Sequence, residues 1–149
     1  MIPKSYSYDT HVEWTTKRRG EMRSAGLPLL TISTPPEFRG EPGFWTPEHL
    51  FVAAAESCLM ATFLGIAENS RLAVLSYRSS AIGKLESPQG AGLRFTEIAV
   101  FPEVELTSVE DRTRAGHVMA KAEKTCLIAN SMAMGLRVEP RFFLKAQAA

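Results

Sequence analysis

The chain has 149 residues, of which 45% are hydrophobic and 22% are charged. That length and composition are typical of a soluble domain with one hydrophobic core, so we expect a single domain over residues 1–149. A formal net charge of +1 favours neither nucleic acid nor an anionic membrane surface as a partner. The opening MIPKSYSYDT has no apolar segment behind a basic start, which predicts a cytoplasmic protein without a secretory signal.

The cysteines exclude two further classes of protein. There are only two, Cys58 and Cys126, whereas a secreted disulfide scaffold carries more cysteines in a shorter chain. No histidine stands near either cysteine with the spacing of a zinc site, so we expect no metal and no other cofactor. In a reducing cytosol two thiols are either inert small hydrophobic residues or a redox pair. Composition by itself favours the inert interpretation.

The first third of the chain is predicted to form strands followed by a long loop. Residues 5–14 mix aromatic, β-branched and polar types, which indicates a strand, and residues 17–21 are typical of a turn that contains Gly20. Residues 22–34 are strand-like and are interrupted by a glycine and a proline. Residues 34–47 hold four prolines and two glycines, so they form a loop. Long ordered loops are often functional.

The most apolar stretch is TPEHLFVAAAESCLMATFLGIA, residues 46–67. Thr46 is predicted to be the N-cap of a helix with proline next and Glu48 in its first turn, and the helix is expected to end at about Asn69. A membrane span would also be long and apolar, but the alanine content and Glu56 at mid-span argue against one. A helix that is apolar on nearly all sides is expected in the protein core.

The second half of the chain predicts a hairpin and an amphipathic helix. Strand patterns cover residues 72–87 and 93–106 on either side of PQGAG, and Pro102 suggests a bulge or an edge position. A second helix is expected over about residues 108–124. Its apolar stripe, at i, i+3, i+4, i+7 and i+11, consists of Ala115, Val118, Met119, Ala122 and Cys126.

A short helical piece at residues 127–132 and a final strand at residues 135–146 complete the pattern. The order of elements is then β-rich segment, buried helix, hairpin, amphipathic helix and strand. This order predicts an α+β fold with antiparallel sheets rather than a series of βαβ units.

Each long helix carries one cysteine on an apolar face, so packing of the two helices could bring the thiols together. A disulfide requires Cα atoms within about 7 Å. A buried cysteine is nucleophilic only as a thiolate, which needs a positive neighbour, and Arg18 and Arg19 are candidates. Glu48 is a carboxylate that could orient such an arginine. Taken singly, these residues are more often solvated turn arginines and a first-turn glutamate.

Three segments together resemble the OsmC/Ohr family of thiol peroxidases. TPEHLFVAAAESCL has the family's proline–glutamate pair at the start of a helix and a cysteine ten residues after the glutamate. KAEKTCLIANS resembles the second-cysteine segment, and TKRRGE resembles the arginine–glycine turn after the first strand. The resemblance covers essentially the whole chain. It implies an OsmC-like fold with two long helices, one of them central and buried, in an intertwined homodimer with two sites at the subunit interface.

The resemblance also implies roles for individual residues. Cys58 matches the peroxidatic cysteine, Cys126 the resolving cysteine and Glu48 the arginine-orienting glutamate. The catalytic arginine matches Arg18 or Arg19, and Arg18 is preferred because the Ohr branch has arginine two residues before the glycine. Cys58 would attack an organic hydroperoxide and become a sulfenic acid, and Cys126 would then form a disulfide with it. The family suggests a dithiol reductant such as a lipoyl group.

Some positions depart from the family's pattern. Leu127 follows the second cysteine where many members have proline, and Thr16, Lys17 and Arg18 stand where the Ohr turn usually has Gly-Gly-Arg. The chain therefore resembles a less characterised OsmC-like branch, and a non-catalytic binding or scaffold protein with inert cysteines is the alternative function. The apolar residues expected around the substrate are Phe44, Trp45, Phe51, Leu59 and Met60.

The position of Glu48 carries a prediction about assembly. Ten residues of continuous helix separate Glu48 from Cys58 by about 15 Å along the axis and turn their side chains about 80° apart. No proline or glycine lies between them to break the helix. We therefore expect an obligate homodimer in which Glu48 of one subunit serves Cys58 and Cys126 of the other.

Overall fold

The computed structural model of the chain describes residues 2–144. Backbone contacts divide the chain into two compact units, residues 1–51 and residues 52–149. The first unit is mainly a small sheet and a loop, and the second contains a larger sheet and most of the helical residues. A single domain over the whole chain stays a prediction.

The first unit opens with a three-stranded antiparallel sheet in the order β1 (His11–Thr16), β2 (Arg19–Arg23) and β3 (Leu30–Ser33). The strand predicted from residue 5 begins only at His11. The reason is that β2 ends at Arg23, the residue that pairs with His11. Residues 2–10 form no strand and are exposed.

Gly20 lies inside β2 and not in the turn where the sequence pattern placed it. The turn consists of Lys17 and Arg18, and Lys17 has a positive φ of 51°. Gly20 is buried beside β1, where an added Cβ would lie 3.1 Å from the Glu13 carbonyl oxygen. A glycine is therefore needed at position 20 because β1 and β2 pack closely there, and not because the chain turns at this residue.

The predicted loop is present, and its path depends on Gly40. A short 3-10 turn, Pro36–Phe38, is followed by Arg39 in the left-handed region with φ 68°. The Gly40 N–H then donates to the Pro35 carbonyl oxygen at 3.0 Å. An added Cβ at Gly40 would lie 1.5 Å from the Thr34 carbonyl oxygen, so no side chain fits here without a shift of the backbone.

The end of the loop is tied to the small sheet. The Ser33 N–H donates to the Trp45 carbonyl oxygen at 2.9 Å, and Ile32 forms a parallel bridge with Trp45. The next residue, Thr46, caps the following helix through its hydroxyl oxygen, which accepts from the His49 N–H at 3.1 Å. The loop thus leads directly from β3 to a well-defined helix start, as the sequence predicted.

Helix α1 spans Pro47–Asn69, which confirms the predicted limits. Within the described residues it is the one helix that is long and apolar enough to cross a membrane by length and composition, and 22% of its most apolar window is buried. In the single chain it buries one stripe at i, i+4 spacing. This stripe consists of Ala55, Leu59, Phe63 and Ala67. The prediction of a helix buried in the core is therefore confirmed for this stripe, while Met60 and Leu64 are each 38% exposed.

The second unit is built on the hairpin β4 (Val74–Glu86) and β5 (Arg94–Leu106). The short strands β6 (Leu136–Val138) and β7 (Arg141–Phe143) both pair with β5 in parallel orientation. The sheet is therefore mixed and not purely antiparallel. The single final strand predicted at residues 135–146 is two strands, and the last two residues of that range lie outside the described residues.

Pro102 is neither at a bulge nor on an edge strand, contrary to the sequence expectation. It lies in central β5, fully buried and paired in register with Ser79 of β4. On the other side of β5, β6 pairs as far as Val100 and β7 starts its pairing at Glu103. Pro102 occupies the gap between these partners, where the sheet does not require an N–H donor.

Helix α2 (Arg112–Thr125) and the short helix α3 (Leu127–Asn130) follow β5. Ser108 begins the helical region, as predicted, and its hydroxyl oxygen accepts from the Glu110 N–H in a 3-10 turn that precedes α2. The predicted apolar stripe is confirmed, because all five of its members are buried. They are Ala115, Val118, Met119, Ala122 and Cys126.

The end of α1 is fixed by α2. The Arg114 guanidinium donates to the carbonyl oxygens of Ser70, at 3.3 Å, and Arg71, at 3.2 Å. These carbonyls follow the helix, where free acceptors remain, and a cation is favourable at this end of the helix dipole. The interaction fixes where α1 ends relative to α2.

Candidate functional site

Cys58 lies on the border of the buried stripe of α1. Its helical neighbours at i−4 and i+4, Ala54 and Thr62, are half-buried as it is. This border position lets the thiol meet residues beneath the helix while part of the side chain stays accessible.

The opposite border of α1 faces β4. Gly83 lets the helix approach the sheet closely, because an added Cβ there would lie 2.4 Å from Cγ2 of Val52. Further along, the Ser79 hydroxyl donates to the Glu56 carboxylate at 2.6 Å. These contacts fix how α1 is rotated about its own axis. That rotation determines which way the Cys58 side chain points.

Glu56 belongs to a small polar cluster with Ser79 and Tyr77. Burial, with a further contribution from the Glu56 charge, raises the pKa of Tyr77 to about 12. Tyr77 is therefore a neutral phenol at physiological pH. Its ring packs on Phe63 of the core stripe, with ring centroids 5.6 Å apart. The hydrogen-bond partner of Glu56 in this cluster is the Ser79 hydroxyl group.

Cys126 lies at the junction between α2 and α3. Its extended backbone, with φ −63° and ψ 106°, ends one helix and begins the next. Its carbonyl oxygen accepts from the Asn130 N–H at 3.0 Å, and the Asn130 side chain donates to the Lys124 carbonyl oxygen at 3.0 Å. The junction is therefore well fixed, and the Cys126 side chain is completely buried.

The two thiols meet, as their places on the two helices permitted. Both cysteines are free, and their side chains lie near enough for each to affect the pKa of the other. Burial raises the pKa of Cys58, but hydrogen bonds from the Ile128 backbone, the Cys126 thiol, the Thr62 hydroxyl and the Leu127 backbone outweigh it, so the net pKa is lowered. Burial raises the pKa of Cys126, and the neighbouring Cys58 raises it further against hydrogen bonds from the Ala129 and Ile128 backbone.

These opposite shifts give the two sulfurs different states. As the pH rises, Cys58 therefore loses its proton before Cys126 does. Only a thiolate is a good nucleophile, and Cys58 combines a lowered pKa with the more accessible position of the two cysteines. Cys126 is the buried member of the pair.

In the first unit, the arginine whose guanidinium group is held by neighbouring side chains is Arg19. Arg18 is exposed in the turn before β2. Arg19 Nε lies 2.9 Å from Glu41 Oε1, with both side chains about one-third exposed. The two atoms are buried and make no well-aligned hydrogen bond, so the contact is an ion pair. The Arg19 guanidinium also lies over the Phe44 ring, 5.2 Å from its centroid.

Glu48 and the aromatic candidates occupy the end of the same unit. Glu48 is half-buried, and its Oε2 is buried without a hydrogen-bond partner. Phe44 and Trp45 line an open cavity of about 310 Å³ together with Gly43 and His49. The His49 ring is fixed by a 2.7 Å hydrogen bond between its Nδ1 and the Thr46 hydroxyl.

The other predicted substrate-binding residues lie on α1. Phe51 is half-buried and Met60 lies on the exposed side of the helix. Leu59 is completely buried in the core stripe. Its side chain therefore packs the core and does not line an accessible pocket.

Sequence reasoning missed Glu41, Thr62 and Tyr77. Thr62 could have been found, because a residue four positions after Cys58 shares its face of a helix. Glu41 is close to Arg19 only because the loop folds back on β2, and residue spacing gives no sign of that. Among the described residues, no group of three or more His, Cys, Asp or Glu could hold a metal ion.

The chain is thus an α+β protein with two neighbouring free cysteines, one within α1 and one at the junction of α2 and α3. A family model described as OsmC-like protein matches residues 40–141. This match covers more than half of the chain, so the chain belongs to the OsmC/Ohr family, as the sequence resemblance predicted. No curated protein sequence matches significantly.

Solved structures share this fold. An OsmC-like protein of unknown function from Vibrio cholerae is similar with a TM-score of 0.84 and 24% identity, covering 91% of this chain and 99% of its own. An organic hydroperoxide resistance protein from Elizabethkingia anophelis has a TM-score of 0.73 and 16% identity, and the match covers 97% of this chain and 100% of that protein's chain. Another organic hydroperoxide resistance protein, from Legionella pneumophila, has a TM-score of 0.68 and 21% identity, and the match covers 94% of this chain and 100% of that protein's chain. At these identities the likeness establishes the fold alone.

Proposed function

We propose that this protein is a cytoplasmic cysteine-based peroxidase that reduces organic hydroperoxides and so protects against oxidative stress. The observation that carries the proposal is the pair of neighbouring free cysteines, in which the pKa of Cys58 is lowered and that of Cys126 is raised. Two structural neighbours named as organic hydroperoxide resistance proteins support the choice of reaction.

The reaction needs no cofactor. The Cys58 thiolate attacks the outer oxygen of the hydroperoxide, the O–O bond breaks, and the leaving alkoxide takes a proton to become an alcohol. Cys58 is then a sulfenic acid. The Cys126 sulfur attacks it, a disulfide forms, and the sulfenic oxygen leaves as water. A dithiol reductant, such as a lipoyl group, exchanges with the disulfide and restores both thiols.

Arg19 is the arginine we propose for the catalytic site, in place of the Arg18 that the sequence favoured. Its guanidinium is held from two sides, by Glu41 and by the Phe44 ring. A fixed guanidinium can stabilise a thiolate or a peroxide oxygen, whereas a solvated one loses much of that effect to water.

We also propose that the active unit is a homodimer in which Glu48 acts on the partner's site. Helix α1 is unbroken from Pro47 to Asn69, so Glu48 and Cys58 of one chain point apart, as the spacing predicted. The buried Glu48 oxygen without a partner needs one. Exposed apolar side chains, including Trp14 of β1 at 74% and Met60 at 38%, supply surface for an interface.

A mixed dimer tests this arrangement. If a Cys58→Ser subunit is paired with a Glu48→Ala subunit, one site loses both residues and the other keeps both. We expect about half of the wild-type peroxidase activity from the mixed dimer and little from either variant alone. An inactive mixed dimer, or an active monomer in size-exclusion chromatography with activity assay, would show that Glu48 serves its own chain.

The function itself is tested by counting free thiols. One equivalent of cumene hydroperoxide should remove two thiols per chain within seconds, and hydrogen peroxide should react more slowly. The reason is that burial of the aryl group favours binding by about 25 cal/mol per Å² of apolar surface. Unchanged thiols would instead support a scaffold protein with inert cysteines. Equal rates with both peroxides would contradict the preference for organic substrates.

A further inference from the structure

The hydroxyl group of Thr62 lies between two atoms of Cys58. Thr62 Oγ1 donates to the Cys58 carbonyl oxygen at 2.7 Å. The same oxygen lies 3.9 Å from Cys58 Sγ, at the long end of the range for a hydrogen bond to sulfur, and either atom could be the donor. Thr62 is half-buried on the border of α1, so fewer waters compete for these contacts than on an open surface.

The Cys58 carbonyl oxygen does not depend on the Thr62 hydroxyl group for a hydrogen bond. In a continuous α-helix it already accepts the N–H of the residue four positions later, which is the Thr62 backbone itself. A hydroxyl carries one proton, and rotation about its Cβ–Oγ bond redirects that proton at little cost. The hydrogen bond to the carbonyl is thus an optional one that the hydroxyl can leave.

The protonation state of Cys58 decides which acceptor is the better one. While Cys58 is a thiol, its S–H can donate to Thr62 Oγ1, and the hydroxyl proton stays on the carbonyl. When the thiol proton has left, the sulfur is an anion and a stronger acceptor than a neutral carbonyl already in a hydrogen bond. The hydroxyl then gains by turning to the sulfur.

We propose that Thr62 is a catalytic residue whose hydroxyl transfers its hydrogen bond from the Cys58 carbonyl to the Cys58 thiolate. This deepens the proposed function, because it assigns a donor that stabilises the attacking sulfur from within its own helix. The Cys126 thiol and the backbone of Ile128 and Leu127 also lower the pKa of this sulfur. Cys126 is the titratable group among them.

The test measures the Cys58 thiolate without any peroxide. The rate of alkylation of Cys58 by iodoacetamide is followed from pH 5 to 10 by mass spectrometry of the peptide that contains it. Thr62→Val keeps the shape of the side chain and removes the hydroxyl. We expect the midpoint of the profile to rise by about one unit, a tenfold smaller thiolate fraction at neutral pH, while the rate at high pH stays unchanged. Thr62→Ser should restore the wild-type midpoint.

Ser57→Ala is the matched control. The Ser57 hydroxyl donates to the Ala53 carbonyl oxygen at 2.7 Å, so this change removes the same kind of bond from the same helix, one residue from Cys58. The proposal requires that the midpoint of the alkylation profile of Ser57→Ala stays at the wild-type value. Thr62→Ala is made in parallel, so that a folding defect of the valine variant does not decide the outcome. Coincident profiles for wild type and the variants without a hydroxyl, or an equal shift in Ser57→Ala, overturn the proposal.

The outcome is independent of whether the protein is a peroxidase. Alkylation reports the thiolate alone, so the shift in Thr62→Val can appear in a protein that leaves cumene hydroperoxide unchanged. That result would overturn the proposed function and keep Thr62 as the donor. The reverse result, oxidation by peroxide with coincident alkylation profiles, would keep the function and remove the role of Thr62.

Discussion

Cys58→Ser is expected to reduce peroxide consumption to the rate of a solution without protein, whereas Cys126→Ser keeps one rapid oxidation per chain. A serine hydroxyl stays protonated at neutral pH and is a weak nucleophile unless a base activates it. In Cys126→Ser the Cys58 sulfenic acid still forms, but no thiol lies beside it to make the disulfide. It therefore persists or is oxidised further to a sulfinic acid.

Intact-protein mass spectrometry distinguishes these states after one equivalent of cumene hydroperoxide. Wild type should lose two hydrogens, Cys126→Ser should gain on average one oxygen per chain, and Cys58→Ser should stay unchanged. A sulfenic-acid reagent should label only the Cys126→Ser variant. If Cys58→Ser gains oxygen and Cys126→Ser does not, the roles of the two cysteines are reversed.

Gly40→Ala is expected to have the largest effect on stability outside the core. Its new Cβ would lie 1.5 Å from the Thr34 carbonyl oxygen, and a backbone atom cannot move away as a flexible side chain can. The loop must shift, at a cost of at least about 1–3 kcal/mol, the range for overpacked sites. For a chain of this size that corresponds to a fall in Tm of roughly 2–4 °C for each kcal/mol.

Gly65→Ala is the control for this experiment. Gly65 lies within α1, with no atom within 4 Å of an added Cβ, so alanine should stabilise the helix by about 0.5–1 kcal/mol. Thermal unfolding followed by circular dichroism should therefore move in opposite directions for the two variants. A Gly40→Ala protein with the wild-type Tm would show that the loop has another path available.

Local signals in the sequence located the helices well. The cap at Thr46, the following proline and the acidic first turn gave the start of α1, and the apolar stripe of α2 gave its buried face including Cys126. These features depend on residues within one or two turns of each other. For the same reason the meeting of Cys58 with Cys126 could be anticipated, since each was placed on an apolar helix face.

The features that sequence missed depend on partners far along the chain. The start of β1 is set by where β2 ends, and the parallel direction of β6 and β7 is set by the path of the chain after α3. The ion pair of Arg19 with Glu41 likewise needs the loop to fold back on β2. No local pattern around Arg18 and Arg19 distinguishes the exposed arginine from the fixed one.

The position of β6 and β7 beside β5 has a consequence for how the site forms during synthesis. These strands pair with a strand that precedes α2, so the pairing closes a long loop that contains α2, α3 and Cys126. Closing such a loop carries an entropic cost, and contacts of this kind form slowly. The sheet stays incomplete until the last strands have left the ribosome. We therefore expect Cys126 in the nascent chain to remain open to thiol reagents long after α1 and the hairpin have been translated.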